Sequence, residues 1–231
     1  MPNCFEKRFV ARFNPLANPT YTRQGIRNVL KELFGDLKIS DIRNHYRNLD
    51  LFVPALNLTQ NRYKVFDNIS NADMDVKVLD VAEFTSSAPS YYDGVTWNND
   101  CMIDGGIIEV APLLTTVTGL AGKRGISFSN MDVLMIGSGH RTDNRKMTTK
   151  EYNSLSLLGI ATDLLAPYVT LSNSIATLYW GKNMGFNSFE YFNPVPVSGG
   201  MDDIGAMNEA LEKCPDYFDS FLQTWVRWIN A

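Results

Sequence analysis

Cysteine and histidine are scarce in this chain of 231 residues. The three cysteines, Cys4, Cys101 and Cys214, are far apart and form no C-x-x-C pair, which argues against a disulfide scaffold and a thiolate zinc site. The two histidines, His45 and His140, are too few for a multi-histidine metal centre. We therefore expect neither a bound metal nor a cofactor, and we interpret the cysteines as reduced and mostly structural.

Long apolar runs, excess positive charge and an apolar leader are also lacking. No run approaches the roughly 18 apolar residues of a membrane-spanning helix. The net charge of −4 gives no basic footprint for nucleic acid. Residues 1–8 lack the apolar core of a signal peptide. The sequence therefore predicts a cytoplasmic protein with no transmembrane segment and no nucleic-acid partner, whereas contact with a membrane surface stays open.

The residues that are present have the balance of a globular protein, with 45% apolar and 20% charged side chains. The length suits one domain, which we place at residues 1–231. Strands precede the main block of helices, and helices also lie between strands, so the pattern favours an α/β or α+β arrangement of layers. The predicted elements are a helix over 26–34 ended by Gly35, a hairpin of 51–56 and 62–66, a helix over 75–84, strands at 101–103, 133–136 and 189–192, and helices from Thr148, from about 170, and over 202–213 and 216–229.

Asp104-Gly105-Gly106 is the sharpest local feature, because it directly follows the apolar stretch 101–103. One interpretation is a functional carboxylate at a strand end, with glycines that permit positive φ and close approach. The other is a plain turn, since Asp-Gly is a common turn dipeptide. The tripeptide alone favours the turn.

Two other patterns have structural interpretations. Ser138 and His140 follow an apolar strand, but Ile136 stands where a G-x-S-x-G elbow needs glycine, so a glycine turn explains them better than a nucleophilic site. An aromatic stripe marks the last helix. Its opposite face lacks the lysines of an interfacial anchor, which favours a core-facing helix over a membrane-contacting one. The stripe consists of Phe218, Phe221, Leu222, Trp225, Trp228 and Ile229.

Taken in order, five segments resemble the patatin-like phospholipase family. The middle ones are the most specific: 84–92 is similar to the family's R-A-S-S-A-A-P-T-Y-F loop, and 102–106 to the D-G-G strand end that carries its catalytic aspartate. The remaining three are 21–36 with its Phe34-Gly35-Asp36 ending, the hairpin at 51–66, and 133–139, similar to a strand ending in S-x-G-T-G. The resemblance implies a three-layer α/β/α sandwich.

The sequence also departs from that family. Glu83 or Phe84 stands where the family has arginine, and Glu109-Val110-Ala111-Pro112 replaces the usual Asn-Asn-Pro. The family's glycine-rich oxyanion loop and its G-x-S-x-G nucleophile are absent from residues 1–231. The resemblance therefore covers the later two-thirds of the domain, incomplete at its N-terminal side. Without the missing part, the strands at 51–56, 101–103 and 133–136 are expected to lack neighbours in the sheet.

The resemblance implies hydrolysis of lipid or phospholipid esters by a Ser–Asp dyad that needs no metal. In this chain Asp104 would be the base, Gly105 and Gly106 would support its loop, and no residue would be the nucleophile. We expect an upstream segment or partner chain to carry the serine, and no activity without it. Two alternatives stay open: a non-catalytic patatin-like module for binding or assembly, and an unrelated hydrolase that uses Ser138 and His140.

Overall fold

A computed structural model describes residues 6–7, 20–137, 140–141, 149–153, 166–193, 196–197 and 203–229. Its contacts divide the chain into two compact units, Met1–Arg124 and Gly125–Ala231. The single domain expected over 1–231 stays a prediction.

The first unit is built on a four-stranded antiparallel sheet with the order β2-β1-β4-β3. Strands β1 (Phe52–Asn57) and β2 (Arg62–Asp67) form the predicted hairpin, with Val53 opposite Phe66. Strand β3 (Val95–Trp97) turns through Asn98 and Asn99 into β4 (Asp100–Asp104). Both turn asparagines have positive φ, as a two-residue type I′ turn requires. Strands β1 and β4 each have two neighbours, so the expectation that they lack partners was wrong.

Helices of the first unit pack around this sheet. Helix α1 (Gln24–Phe34) matches the predicted helix and ends at Gly35, which has φ of 52°. Helix α3 (Val78–Thr85) confirms the helix predicted over 75–84, whereas α2 (Ile39–His45) and α4 (Leu113–Arg124) were not predicted. The buried core formed by the sheet, α2 and α3 comprises Ile39, Ala55, Phe66, Val81, Phe84, Val95 and Met102.

Charged tethers fix the far end of α4. Lys123 donates to Asp67 and Ser70, and Arg124 makes a bidentate pair with Asp50. Burial raises the pKa of Asp67, but hydrogen bonds from Lys123, Ser70 and the backbone outweigh it and hold that pKa below its usual value. The basic pair at 123–124 therefore anchors the end of α4 to the rest of the first unit.

The second unit contains parallel strand pairs and helices. Strands β5 (Asp132–Ile136) and β7 (Ser188–Phe192) confirm two predicted strands and pair in parallel. Strand β6 (His140–Arg141) pairs in parallel with β8 (Pro196–Val197). Within the described residues β5 has only β7 as a partner. The described helices are α5 (Thr149–Asn153), α6 (Ala166–Asn183) and α7 (Ile204–Ile229).

Two helix predictions in this unit were wrong at prolines. Helix α7 runs without interruption through Pro215, where two helices were expected, and α6 begins at Ala166 with Pro167 in its first turn, about four residues early. The missing N–H of a proline removes no bond in a first turn, because the first amides of a helix have no partner.

The aromatic stripe of α7 is only partly packed. Phe221 lies 5.1 Å from Phe192, between ring centroids, whereas Phe218 is 57% and Trp225 39% exposed. The core-facing interpretation was therefore wrong for those exposed rings. The side chains of Trp228 and Ile229 lie outside the described residues.

Helices and strands of both pairing types confirm the α/β class. In the described parts of the chain, no helix is long and apolar enough to cross a membrane.

Candidate active site

Asp104 is the last residue of β4, which is one of the two inner strands of the four-stranded sheet. On one side it lies opposite Ala55 of β1, a fully buried residue. Its own amide donates 3.1 Å to the carbonyl of Ser87, in the loop that follows α3. Sheet pairing and a loop hydrogen bond therefore fix the backbone of Asp104 from two directions.

Close packing requires a glycine at position 105, and neither of the two glycines after Asp104 has the positive φ that one interpretation of the sequence suggested. A Cβ at Gly105 would lie 2.7 Å from both the carbonyl carbon and the oxygen of Pro54 in β1. Gly106 donates its amide to Oδ1 of Asp104 over 2.7 Å, and a Cβ there would lie 3.1 Å from the same oxygen. The D-G-G tripeptide thus lets the chain turn tightly against β1 while its third residue binds the carboxylate.

Burial raises the pKa of the Asp104 carboxyl above its usual value, and the hydrogen bond from Gly106 opposes this only in part. A carboxylate with a raised pKa is a stronger base, and a base is most effective when its pKa lies near the working pH. The half-buried Asp104 therefore combines reach to solvent with increased basicity, as general-base chemistry needs.

Glu109 closes the loop that leads from Asp104 to α4. Its Oε1 accepts the amides of Leu114 and Thr115 at 2.8 and 3.3 Å, so the carboxylate caps α4. Its Oε2 accepts the hydroxyls of Tyr63, at 3.1 Å, and Thr115. Burial, together with the nearby Glu109 charge, raises the pKa of Tyr63 to about 12. The departure from Asn-Asn-Pro therefore provides a helix cap.

Glu83 also departs from the family pattern, and its charge is matched locally. The side chain is 1% exposed and pairs with Arg27 of α1, while Arg23 lies 3.6 Å from its other oxygen. Its backbone carbonyl accepts the Ser86 and Ser87 hydroxyls, which shape the loop beside Asp104. The acidic Glu83 on α3 is thus compensated by Arg27 of α1 and by Arg23, which directly precedes that helix.

The alternative nucleophiles gain no support. Ser138 lies outside the described residues, and His140 begins β6. His45 is exposed, with its Nδ1 2.8 Å from the Asp41 carbonyl. Over the described ranges, no group of three His, Cys, Asp or Glu residues could hold a metal ion.

Comparison with known proteins bears on the first unit. Residues 3–117 match the family model described as patatin-like phospholipase. The chain is 22% identical over 159 residues to Patatin-like protein 1 of Arabidopsis thaliana. The aligned segment covers 59% of this chain and 37% of that protein. It therefore spans less than two-fifths of the length of that curated relative. Four of the five segments that suggested the family lie inside the matched range, and 133–139 lies beyond it. Over residues 3–117, with Asp104 among them, the chain matches the patatin-like phospholipase family.

Proposed function

We propose that this chain supplies the base half of a lipid acyl hydrolase, with Asp104 as the base and a serine from another segment as the nucleophile. The observation that carries the proposal is the environment of Asp104: a strand-end carboxylate with a pKa raised by burial, held by Gly106 in a segment that matches this family. A cytoplasmic location and a lipid or phospholipid ester as substrate are part of this proposal.

The chemistry needs a hydroxyl, a base and an oxyanion site. Asp104 takes the proton of the serine hydroxyl as its oxygen attacks the ester carbonyl, and it returns the proton to the leaving alcohol. Water then attacks the acyl-serine and gives a proton to Asp104, which passes it to the serine oxygen as the carboxylic acid leaves. Backbone amides near the serine stabilise the oxyanion. No G-x-S-x-G occurs in residues 1–231, so this serine comes from outside the sequence in hand.

The first experiment is denaturing intact-mass analysis of the purified sample, with fluorophosphonate labelling. We expect a second peptide that contains G-x-S-x-G beside the 26.0 kDa chain, and labelling on that peptide. A single unlabelled species of 26.0 kDa would favour the non-catalytic binding module. Labelling at Ser138 would favour the unrelated hydrolase.

The second experiment tests Asp104 in the completed enzyme. Asp104→Asn should lower kcat/KM for a phospholipid ester by about 10²–10⁴-fold, because general-base catalysis contributes about that much. Asp100→Asn is the matched control. It lies on the same strand and only accepts side-chain hydrogen bonds from Asn57 and Gln60. If both variants retain full activity, the assignment of Asp104 as base is wrong.

A further inference from the structure

The segment between Asp104 and α4 is wound into one tight turn. The carbonyl of Gly105 accepts two amides, from Ile108 at 2.9 Å and from Glu109 at 3.0 Å. Gly106, inside this turn, donates to Oδ1 of Asp104. The direction of the Gly106 N–H therefore depends on how firmly the rest of the turn is held.

The far end of the turn is held mainly through one side chain. The Glu109 carboxylate receives two amides of α4, the hydroxyl of Thr115, and the hydroxyl of Tyr63. Tyr63 lies on β2, which pairs with β1, the strand opposite Asp104. Glu109 thus joins the turn both to a helix of 12 residues and to the sheet.

The apolar side chains on either side of Glu109 are partly exposed. Ile107, Ile108 and Val110 are 42%, 46% and 40% exposed, so none of them anchors the turn as a buried core residue would. If the Glu109 carboxylate were removed, the turn would keep its local amide bonds but lose its side-chain attachments to Tyr63 and to α4.

We propose that Glu109 is a positioning residue for Asp104: it holds the turn in the shape that aims the Gly106 amide at the Asp104 carboxylate. The catalytic importance of this role rests on the proposed function, whereas the test of the role does not. The competing explanation is that Glu109 only caps α4. In that case its removal would weaken α4 and leave the surroundings of Asp104 unchanged.

The two explanations differ in the titration of Asp104. The Gly106 hydrogen bond lowers the pKa of Asp104 against the effect of burial. Loss of that bond should therefore raise the pKa further, and the freed Gly106 amide should exchange faster with solvent. Neither quantity responds to the capping of α4 alone.

The test uses the full chain, labelled with carbon-13 and nitrogen-15. The Asp104 carboxyl resonance, assigned with Asp104→Asn, is followed through a pH titration, and amide hydrogen exchange is followed at Gly106. In Glu109→Ala we expect the midpoint to rise by about half a pH unit or more. Exchange at Gly106 should accelerate about tenfold or more. Tyr63→Phe, a smaller change, should shift both in the same direction and serves if Glu109→Ala does not fold.

Lys123→Met is the matched control, because Lys123 tethers the opposite end of α4 through Asp67. It should lower the thermal stability of the chain and leave both Asp104 readouts unchanged. An unshifted Asp104 midpoint in Glu109→Ala and Tyr63→Phe would overturn the proposal. The proposal would also be overturned if Lys123→Met shifted the Asp104 midpoint as far as Glu109→Ala and Tyr63→Phe do. No readout requires turnover, so an inactive completed enzyme would refute the proposed function and not this inference.

Discussion

Replacing Gly105 by alanine tests whether close packing, and not backbone conformation, requires glycine after Asp104. The new Cβ would lie 2.7 Å from the carbonyl carbon and oxygen of Pro54 and 2.9 Å from its Cβ, against about 3.5–4.0 Å for favourable carbon contacts. Strand β1 has little freedom to retreat, because it is paired with β2 on one side and β4 on the other. Overpacking of this kind costs about 1–3 kcal/mol, and the stiffer unfolded chain offsets about 0.4–1 kcal/mol. We therefore expect Gly105→Ala to lower the free energy of unfolding by about 1–2 kcal/mol.

The measurement is thermal and urea unfolding followed by circular dichroism, where that change corresponds to a fall of roughly 2–8 °C in Tm for a chain of this size. Gly122→Ala is the matched control in the same unit. Gly122 lies in α4 with no atom within 4 Å of an added Cβ, so alanine there should stabilise by about 0.5–1 kcal/mol. A Tm for Gly105→Ala equal to or above that of the wild type would refute the packing argument.

For three further substitutions, the structure predicts whether the folded state becomes more or less stable. Because the folded state raises the pKa of Asp104, its contribution to stability is complete below the unfolded pKa of about 3.9 and is lost as pH rises through the raised value. Asp104→Asn should therefore be more stable than the wild type at neutral pH, and urea titrations should show this advantage vanish in acid. Asp67 has the opposite sign: Asp67→Asn should cost about 1–3 kcal/mol near neutral pH, and the cost should disappear as pH falls through the depressed pKa of Asp67. Asn99→Gly should stabilise by up to about 1 kcal/mol, because Asn99 has φ of 67° in the turn between β3 and β4; an unchanged urea midpoint would contradict this.

Local pattern predicted elements well where periodicity and turn residues agree. The i, i+3, i+4 spacing of Ile26, Val29 and Leu30 gave helix α1, and the period-two run at 62–66 gave strand β2. Burial was less predictable, since periodicity reports an apolar face and not what covers it. Leu33 of α1 is 68% exposed, although it lies on the same helix face as Ile26, Val29 and Leu30.

The candidate site shows the same difference between what a local pattern predicts and what depends on contacts distant in sequence. The order and spacing of the motifs predicted a site at Asp104, which stays a prediction. The proposed role of Glu109 depends on Tyr63, which lies 46 residues earlier in the chain, so no local pattern predicts it. Helix α4 was also missed, because Gly119 and Gly122 have poor helix propensity and mask its periodicity. A signal was nevertheless present in the sequence: an acidic residue shortly before Pro112 is typical of a helix start.

The location of the contacts of Asp104 has an evolutionary consequence. Ala55, Ser87 and Gly106 all belong to the first compact unit, as do Glu109 and Tyr63 behind them. A gene rearrangement that separated residues 1–124 from other coding sequence would leave these contacts intact. In the proposed dyad, the acidic half would then be inherited, duplicated or recombined as a unit, and selection would act separately on the segment proposed to carry the hydroxyl.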